Sequence, residues 1–184
     1  MRVTGRNIMF EGQFLRIVEK NVHTSNEKDR VWETVERRNV WGNGAVVVIP
    51  MTTDRELIFE KNWRVPLESW VIQFPAGLTD VESESEEETA KRELLEETGY
   101  LARDLIPVFR SPLSAALTNT RAMHFFAPDV EFLGKAVNQD IEQIEVLKVP
   151  EDKVDEFMLC LPERVELDLQ VPGILWVMRH RGLL

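Results

Sequence analysis

Glu93, Glu96 and Glu97 stand close together in the run Arg92-Glu93-Leu94-Leu95-Glu96-Glu97-Thr98-Gly99-Tyr100. On an α-helix each residue advances by about 100°, so these carboxylates fall within roughly one quadrant of the helix surface. Glu86, two turns earlier, belongs to the same side. Like charges at this spacing repel one another, and a chain that tolerates them usually holds a cation that neutralises them. An all-oxygen donor set suits a hard ion, Mg²⁺ or Mn²⁺, rather than zinc. The competing explanation is a solvated acidic helix, with Glu86-Glu87-Glu88 making ordinary i,i+4 pairs to Lys91-Arg92 and Glu88–Arg92 in the favourable orientation. That explains the charge run but not its flanks. Pro75-Ala76-Gly77 before it and Gly99 just past it predict a strand–loop–helix–stop unit.

Other elements must hold that helix in place. Phe14–Val22 alternates apolar and polar residues and reads as a strand, with Val31–Val40 as its partner across a polar turn at Thr24–Arg30. Gly44–Ile49 is a continuous apolar run ended by Pro50, which predicts a strand buried on both faces. Glu56–Lys61, Ser69–Phe74, Leu105–Phe109, Ala122–Ala127 and Ile144–Val149 read as further strands, with a loop at Ser111–Thr120. A helix is expected from about Ser85 to Thr98, capped by Ser83 or Ser85 and carrying glutamates in its first turn. A second is expected from Pro150 and Glu151 through Cys160, and a third over Val171–Arg181, its start blurred by Pro172-Gly173. The set predicts an α/β protein: a mixed sheet with helices on both sides. His124, between Met123 and Phe125 in a predicted strand, reads as a partly buried core histidine.

The chain has 184 residues, which fits one domain with a substantial core. Hydrophobic residues make up 43% and charged residues 29%, ordinary values for a globular protein. A net charge of −10 argues against binding nucleic acid through a broad basic surface. It leaves a phosphate substrate open, because bound divalent cations would reverse the local charge. Cys160 is the only cysteine, so no internal disulfide is expected and a reducing cytoplasm suits the chain. Its neighbours Met158, Leu159 and Leu161 predict a packed thiol. No apolar run approaches the ~20 residues of a membrane span, and Met1–Phe14 does not read as a signal peptide.

The acidic segment resembles the box of the Nudix hydrolases: Gly, five residues, Glu, seven residues, then Arg-Glu-hydrophobic-any-Glu-Glu-any-Gly-hydrophobic. Seven residues separate Glu84 from Arg92, and Arg92–Tyr100 matches at every specified position. The departure is upstream, where six residues, not five, lie between Gly77 and Glu84. An extra loop residue ahead of the helix accounts for it. The resemblance implies an α/β/α sandwich and hydrolysis of a nucleoside diphosphate linked to another group. Residues 1–43 are expected as a β-unit ahead of a hydrolase domain at 44–184. In the subfamily acting on ADP-ribose, a similar unit helps to build a homodimer and the adenine pocket. Trp32-Glu33 and Arg37-Arg38 look like that subfamily's segment, which makes Trp32 and Arg37 candidates for substrate contact. Core packing is the alternative for Trp32, as for Trp41.

Glu93 and Glu97, at i and i+4, point the same way and are the expected metal ligands, with Glu96 a close third. The family implies a further ligand in the backbone carbonyl of Ala76. Arg92 is expected to tie helix to loop by pairing with Glu84 or Glu96, while Gly77 and Gly99 serve the backbone. Arg64, in Asn62-Trp63-Arg64-Val65-Pro66, sits in a turn similar to the subfamily's aromatic-Arg-x-Pro, whose Arg lies near the phosphates. A plain surface arginine is the alternative. The subfamily's general base lies in a Glu-x-Ile-any-Val context, which Glu142-Gln143-Ile144-Glu145-Val146 matches. Glu142 is the candidate base, Glu145 the reserve, and a solvated loop acid the alternative. Ser111–Thr120 replaces a Pro-Gly-rich acidic loop of the subfamily without Gly, Asp or Glu. The expected activity is Mg²⁺-dependent cleavage of ADP-ribose or another nucleoside diphosphate sugar. The other readings are a GDP- or UDP-sugar, NADH or dinucleoside polyphosphate as substrate, and a non-catalytic nucleotide-binding domain.

Overall fold

The structure, a computed structural model, describes residues 1–134 and 143–184. In chain order the elements are β1 (Arg2–Glu11), β2 (Leu15–His23), β3 (Asp29–Arg37), β4 (Gly44–Pro50), β5 (Glu56–Arg64), β6 (Ser69–Gln73), β7 (Ala76–Leu78), α1 (Glu86–Thr98), β8 (Tyr100–Leu101), β9 (Ile106–Pro112), β10 (Arg121–Ala127), β11 (Glu131–Phe132), β12 (Ile144–Pro150), α2 (Val154–Leu159), β13 (Val165–Leu167) and α3 (Gln170–His180). One sheet has the order β7-β4-β10-β9 and a second β12-β5-β6-β13. The β10–β4 and β13–β6 pairs are parallel and their neighbours antiparallel, so both sheets are mixed.

β4 explains the layers. Every one of its residues is buried. Ala45, Val47 and Ile49 join one apolar cluster with Ile174, Leu175 and Met178 of α3. Val46 and Val48 join another with Ala90 and Leu94 of α1. Successive strand side chains point to opposite faces, so a run with no polar member must be covered twice. The helices therefore lie on the two faces of the sheet, as an α/β/α sandwich requires. Phe59 stacks on Phe74 with ring centroids 4.5 Å apart, in the α3-side cluster. Each such buried ring contributes roughly 1.5–3 kcal/mol.

The N-terminal unit is a separate antiparallel sheet, β1-β2-β3. β1 was not legible in the sequence: register shifts between Val3 and Gly5 and between Ile8 and Phe10 break its alternation. Buried Glu36 ties the three strands together through Arg6, Arg16 at 3.0 Å and Lys20 at 3.2 Å. Burial alone would raise its pKa, but these cations outweigh it and hold the carboxyl below its ordinary value. β3 is also stitched to the long loop after β9, since Val35 donates its backbone N–H to Leu117 O at 2.8 Å. Trp32 Nε1 donates to Ala116 O at 3.0 Å.

The expected second helix splits into a 3₁₀ turn at Glu151–Lys153 and the short α2, so it ends before Cys160. Cys160 is exposed rather than packed, because α2 buries Val154 and turns Phe157 towards Phe59 while its other side faces solvent. α3 accepts Pro172 because the residue falls in its first turn, where a missing N–H breaks no helical bond. His124 is fully buried, stacked on Phe109 with centroids 4.2 Å apart. Its ring nitrogens lie 3.3 Å from Phe109 O and from Gln170 Oε1, and burial lowers its pKa. Among the described residues no helix is long and apolar enough to cross a membrane.

Candidate active site

Local chemistry at its ends fixes α1. Ser85 is the N-cap: its Oγ accepts from Glu88 N at 3.2 Å, and Glu88 Oε2 accepts from Ser85 N at 2.8 Å. That reciprocal cap occupies Glu88, so the Glu88–Arg92 pair of the solvated-helix reading does not form, whereas Glu87 and Lys91 pair at 3.1 Å. Glu86 accepts from Asn43 and reaches Arg110 at 3.4 Å, which anchors the first turn to the sheet. At the far end Gly99 adopts φ 76° and donates to Leu95 O at 2.9 Å. A side chain there would also overlap Gly134 O.

Arg92 binds both alternatives named for it. Its Nε donates to the two Glu84 oxygens at 3.0 and 3.1 Å. Its Nη1 donates to Glu93 Oε1 at 2.9 Å and to Glu96 Oε2 at 3.2 Å. The extra loop residue therefore leaves Glu84 within reach of the helix, and Thr89 Oγ1 adds a bond to it at 3.1 Å. Burial opposes the arginine's charge, but Glu93, Glu84 and Glu96 together raise its pKa. One guanidinium thus neutralises part of the acidic cluster.

Glu93 turns inward, against Gly77. Gly77 is not a positive-φ residue; a Cβ there would overlap the Glu93 carboxyl group. The glycine is needed for close approach rather than for an unusual turn. Burial pushes the Glu93 carboxyl up to about 7, outweighing the pull of Arg92. Buried Glu97 accepts from the backbone N–H of Ala76 at 3.1 Å, which ties α1 to β7.

Two arginines share a cleft with these carboxylates. This cleft, of about 470 Å³, is lined by Arg37, Arg64, Asp80, Glu93, Glu97 and Leu113, with Ala76 and Gly77 at its floor. Beyond Arg64 a smaller hollow of about 200 Å³ runs between the sheet and α3, past Gln73, Asp168 and Gln170. Arg37, Arg64, Ala76, Gly77, Glu93 and Glu97 thus come together. Glu96 stands on the same helix beside Arg92 but does not line the cleft. Trp32 is also apart, half exposed on β3 with its indole N–H on the loop after β9. Glu142 lies outside the described residues, and Glu145 is paired with Lys61 at 3.0 Å on the β12–β5 ladder. Sequence reasoning missed Gln73, Asp80 and Leu113. For Gln73 the available signal was a polar residue closing an apolar strand just ahead of Pro75.

Among the described residues no group of three or more His, Cys, Asp or Glu forms a ready metal cage. The reason lies in the contacts: Glu93 and Glu96 turn to Arg92, and Glu97 to Ala76 N–H. The donor chemistry nevertheless fits a hard cation, since every candidate is an oxygen and Glu93 and Glu97 share one cleft wall.

An α/β/α sandwich whose acidic helix shares a cleft with two arginines has the charged groups that phosphate handling requires. The NUDIX domain model matches residues 42–172, and the chain belongs to the Nudix family. This family generally works with divalent cations. The ADP-ribose pyrophosphatase of Bacillus subtilis is 28% identical over 160 residues, 87% of this chain and 82% of that protein. The ADP-ribose pyrophosphatase of Saccharomyces cerevisiae is 33% identical over 168 residues, 81% of this chain and 70% of its own. The ADP-sugar pyrophosphatase of Mus musculus is 38% identical over 104 residues, and the match spans 47% of that longer protein. A crystal structure of an ADP compounds hydrolase superposes with a TM-score of 0.79 at 21% identity, over 99% of this chain and 95% of the other.

Proposed function

We propose that this protein hydrolyses the pyrophosphate bond of ADP-ribose or a related nucleoside diphosphate sugar, with Mg²⁺ or Mn²⁺, releasing a nucleoside monophosphate and a sugar phosphate. The observation that carries this reading is that Glu93 and Glu97 line one cleft together with Arg37 and Arg64. A diphosphate needs cations on its oxygens, and both halves of that requirement are present in this cleft: acids to hold metal, arginines to hold phosphate. Glu93, Glu96 and Glu97, with the Ala76 carbonyl, are the proposed ligands; the bound ion would neutralise phosphate oxygens and acidify a water.

The chain's own residues do the rest. Arg64 and Arg37 hold the diphosphate in line. Arg92 keeps Glu93 and Glu96 on the helix flank, and Glu84 keeps Arg92 there. Glu142 is the proposed base on its sequence context: it takes the proton of the water whose oxygen attacks phosphorus, and the bridging P–O bond breaks. For ADP-ribose the products are AMP and ribose 5-phosphate. The names of the Bacillus and yeast relatives support ADP-ribose. The loop after β9 supports a second reading, in which the non-nucleotide half differs. It lacks acidic residues, sends Leu113 into the cleft and is bound to β3.

Residues 1–43 are proposed as the dimerisation and base-binding unit and 44–184 as the hydrolase domain; the family match beginning at residue 42 supports that boundary. Phe10, Leu15, Ile17 and Val31 are exposed on the N-terminal sheet and Phe14 in the turn between β1 and β2, an apolar surface suited to a second copy of the chain. Trp32 lies on the same sheet and would meet the base there. Sedimentation at micromolar concentration tests the dimer, and a monomer would remove it from the account. The single free cysteine suits a cytoplasmic setting. The activity itself is tested by phosphate release from a panel of nucleotide sugars with added Mg²⁺. ADP-ribose is expected among the best three substrates, and its absence from them would reject the assignment.

A further inference from the structure

Arg64 is held in the cleft by a residue that does not itself line it. Its Nε and Nη2 both donate to Gln73 Oε1, at 2.8 and 2.6 Å. Gln73 Nε2 in turn donates to Glu60 Oε2 at 3.3 Å. Glu60 and Gln73 are register partners on β5 and β6, both fully enclosed by the fold. Arg64 is paired with Ser69, four residues from Gln73, so its side chain must run back along the strand to meet the amide.

We propose that Gln73 is a positioning residue: it aims Arg64 into the cleft and leaves its positive charge un-neutralised for the diphosphate, with Glu60 as its anchor. This rests on the reading of Arg64 as a phosphate-binding residue. An arginine only donates, so the amide oxygen must face Arg64 and the amide nitrogen must face the Glu60 oxygen. The orientation of Gln73 is thereby fixed from both sides. The chemistry of the middle member matters. A carboxylate at residue 73 would hold the guanidinium equally well but would cancel its charge. An amide holds it and cancels nothing. Among the described residues Arg64 makes no ion pair, and its Nη1 makes no hydrogen bond. The arginine is thus held from behind, still charged, and lines both the cleft and the hollow beyond it. A side chain already immobilised loses less freedom when phosphate arrives, so the clamp acts on substrate binding.

The test is a double-mutant cycle on the Mg²⁺-loaded enzyme with ADP-ribose. Gln73→Met keeps the volume and removes all three hydrogen bonds of the side chain. It is expected to raise KM about tenfold while kcat stays within about threefold. Arg64→Ala is expected to raise KM further, and the double variant is expected to be no worse than Arg64→Ala alone, because Gln73 acts only through Arg64. A wild-type KM for Gln73→Met, or penalties that multiply, overturns the proposal while Arg64 keeps its role. A wild-type KM for Arg64→Ala overturns the phosphate reading and the proposal with it. Should Gln73→Met fail to fold by thermal melting, Gln73→Asn takes its place in the cycle. This amide is one methylene too short to span both partners; a smaller KM rise absorbed by Arg64→Ala is expected, and an unchanged KM overturns the proposal.

Discussion

The Glu93 carboxyl group occupies the space that a side chain at residue 77 would fill. The first glycine of the motif and the first glutamate of the acidic cluster are therefore one structural unit, joined across the β7–α1 loop. Gly77→Ala should force Glu93 out of the cleft. We expect kcat to fall at least tenfold, with a loss of about 1–3 kcal/mol in stability from overpacking. Paired kinetics and thermal melts check this, and a fully active Gly77→Ala protein would mean that the inward position of Glu93 is not required.

Glu97→Gln keeps the shape and the Ala76 N–H bond but removes the charge. Turnover should fall by orders of magnitude while Tm changes little. A solvated acid would give the opposite result, with activity retained.

Metal and proton should compete at Glu93. Burial, only partly offset by Arg92, raises this carboxyl from 4.5 to about 7 in the metal-free protein. Its contribution to stability is present in full below the unfolded value and is lost as pH rises through the folded one, because the charged form is the disfavoured one. The metal-free protein should thus lose stability between about pH 4.5 and 7 from this group. A cation held at the proposed site would take the carboxylate form and restore that stability, with release of a proton. The Tm gain from Mg²⁺ should therefore be small at pH 5.5 and larger at pH 8, and Glu93→Gln should flatten the difference. A Mg²⁺ gain equal at both pH values would contradict the coupling.

Arg92 is the counter-charge of the acidic flank, in contact with Glu84, Glu93 and Glu96. Arg92→Met leaves those carboxylates facing one another. We expect a loss of about 2–4 kcal/mol, part of it recovered by added Mg²⁺, measured by urea unfolding with and without the ion. No recovery would separate the arginine's role from the metal's.

What the sequence disclosed depended on how local the physics was. The acidic helix was legible because its cap, its charge register and its terminal glycine all act within a turn or two. β4 was legible because an unbroken apolar run has few alternatives to burial on both faces. β1 was not, since its bulges displace the alternation that marks a strand. Cys160 misled because apolar neighbours on a short helix need not share its buried side. The partnership of Glu60, Gln73 and Arg64 was invisible for a different reason. It depends on the register of the β5–β6 ladder, which no spacing along the chain records. The same holds for Leu113, which reaches the cleft from a loop pinned to β3.

The proposed activity stands on the capture of divalent ions by Glu93, Glu96 and Glu97. Anomalous diffraction from crystals grown with Mn²⁺ and a non-hydrolysable ADP-ribose analogue tests it most directly. Anomalous peaks are expected within about 2.0–2.3 Å of the oxygens of at least two of these glutamates, between them and the diphosphate. A nucleotide-bound crystal with no peak at this helix would contradict it.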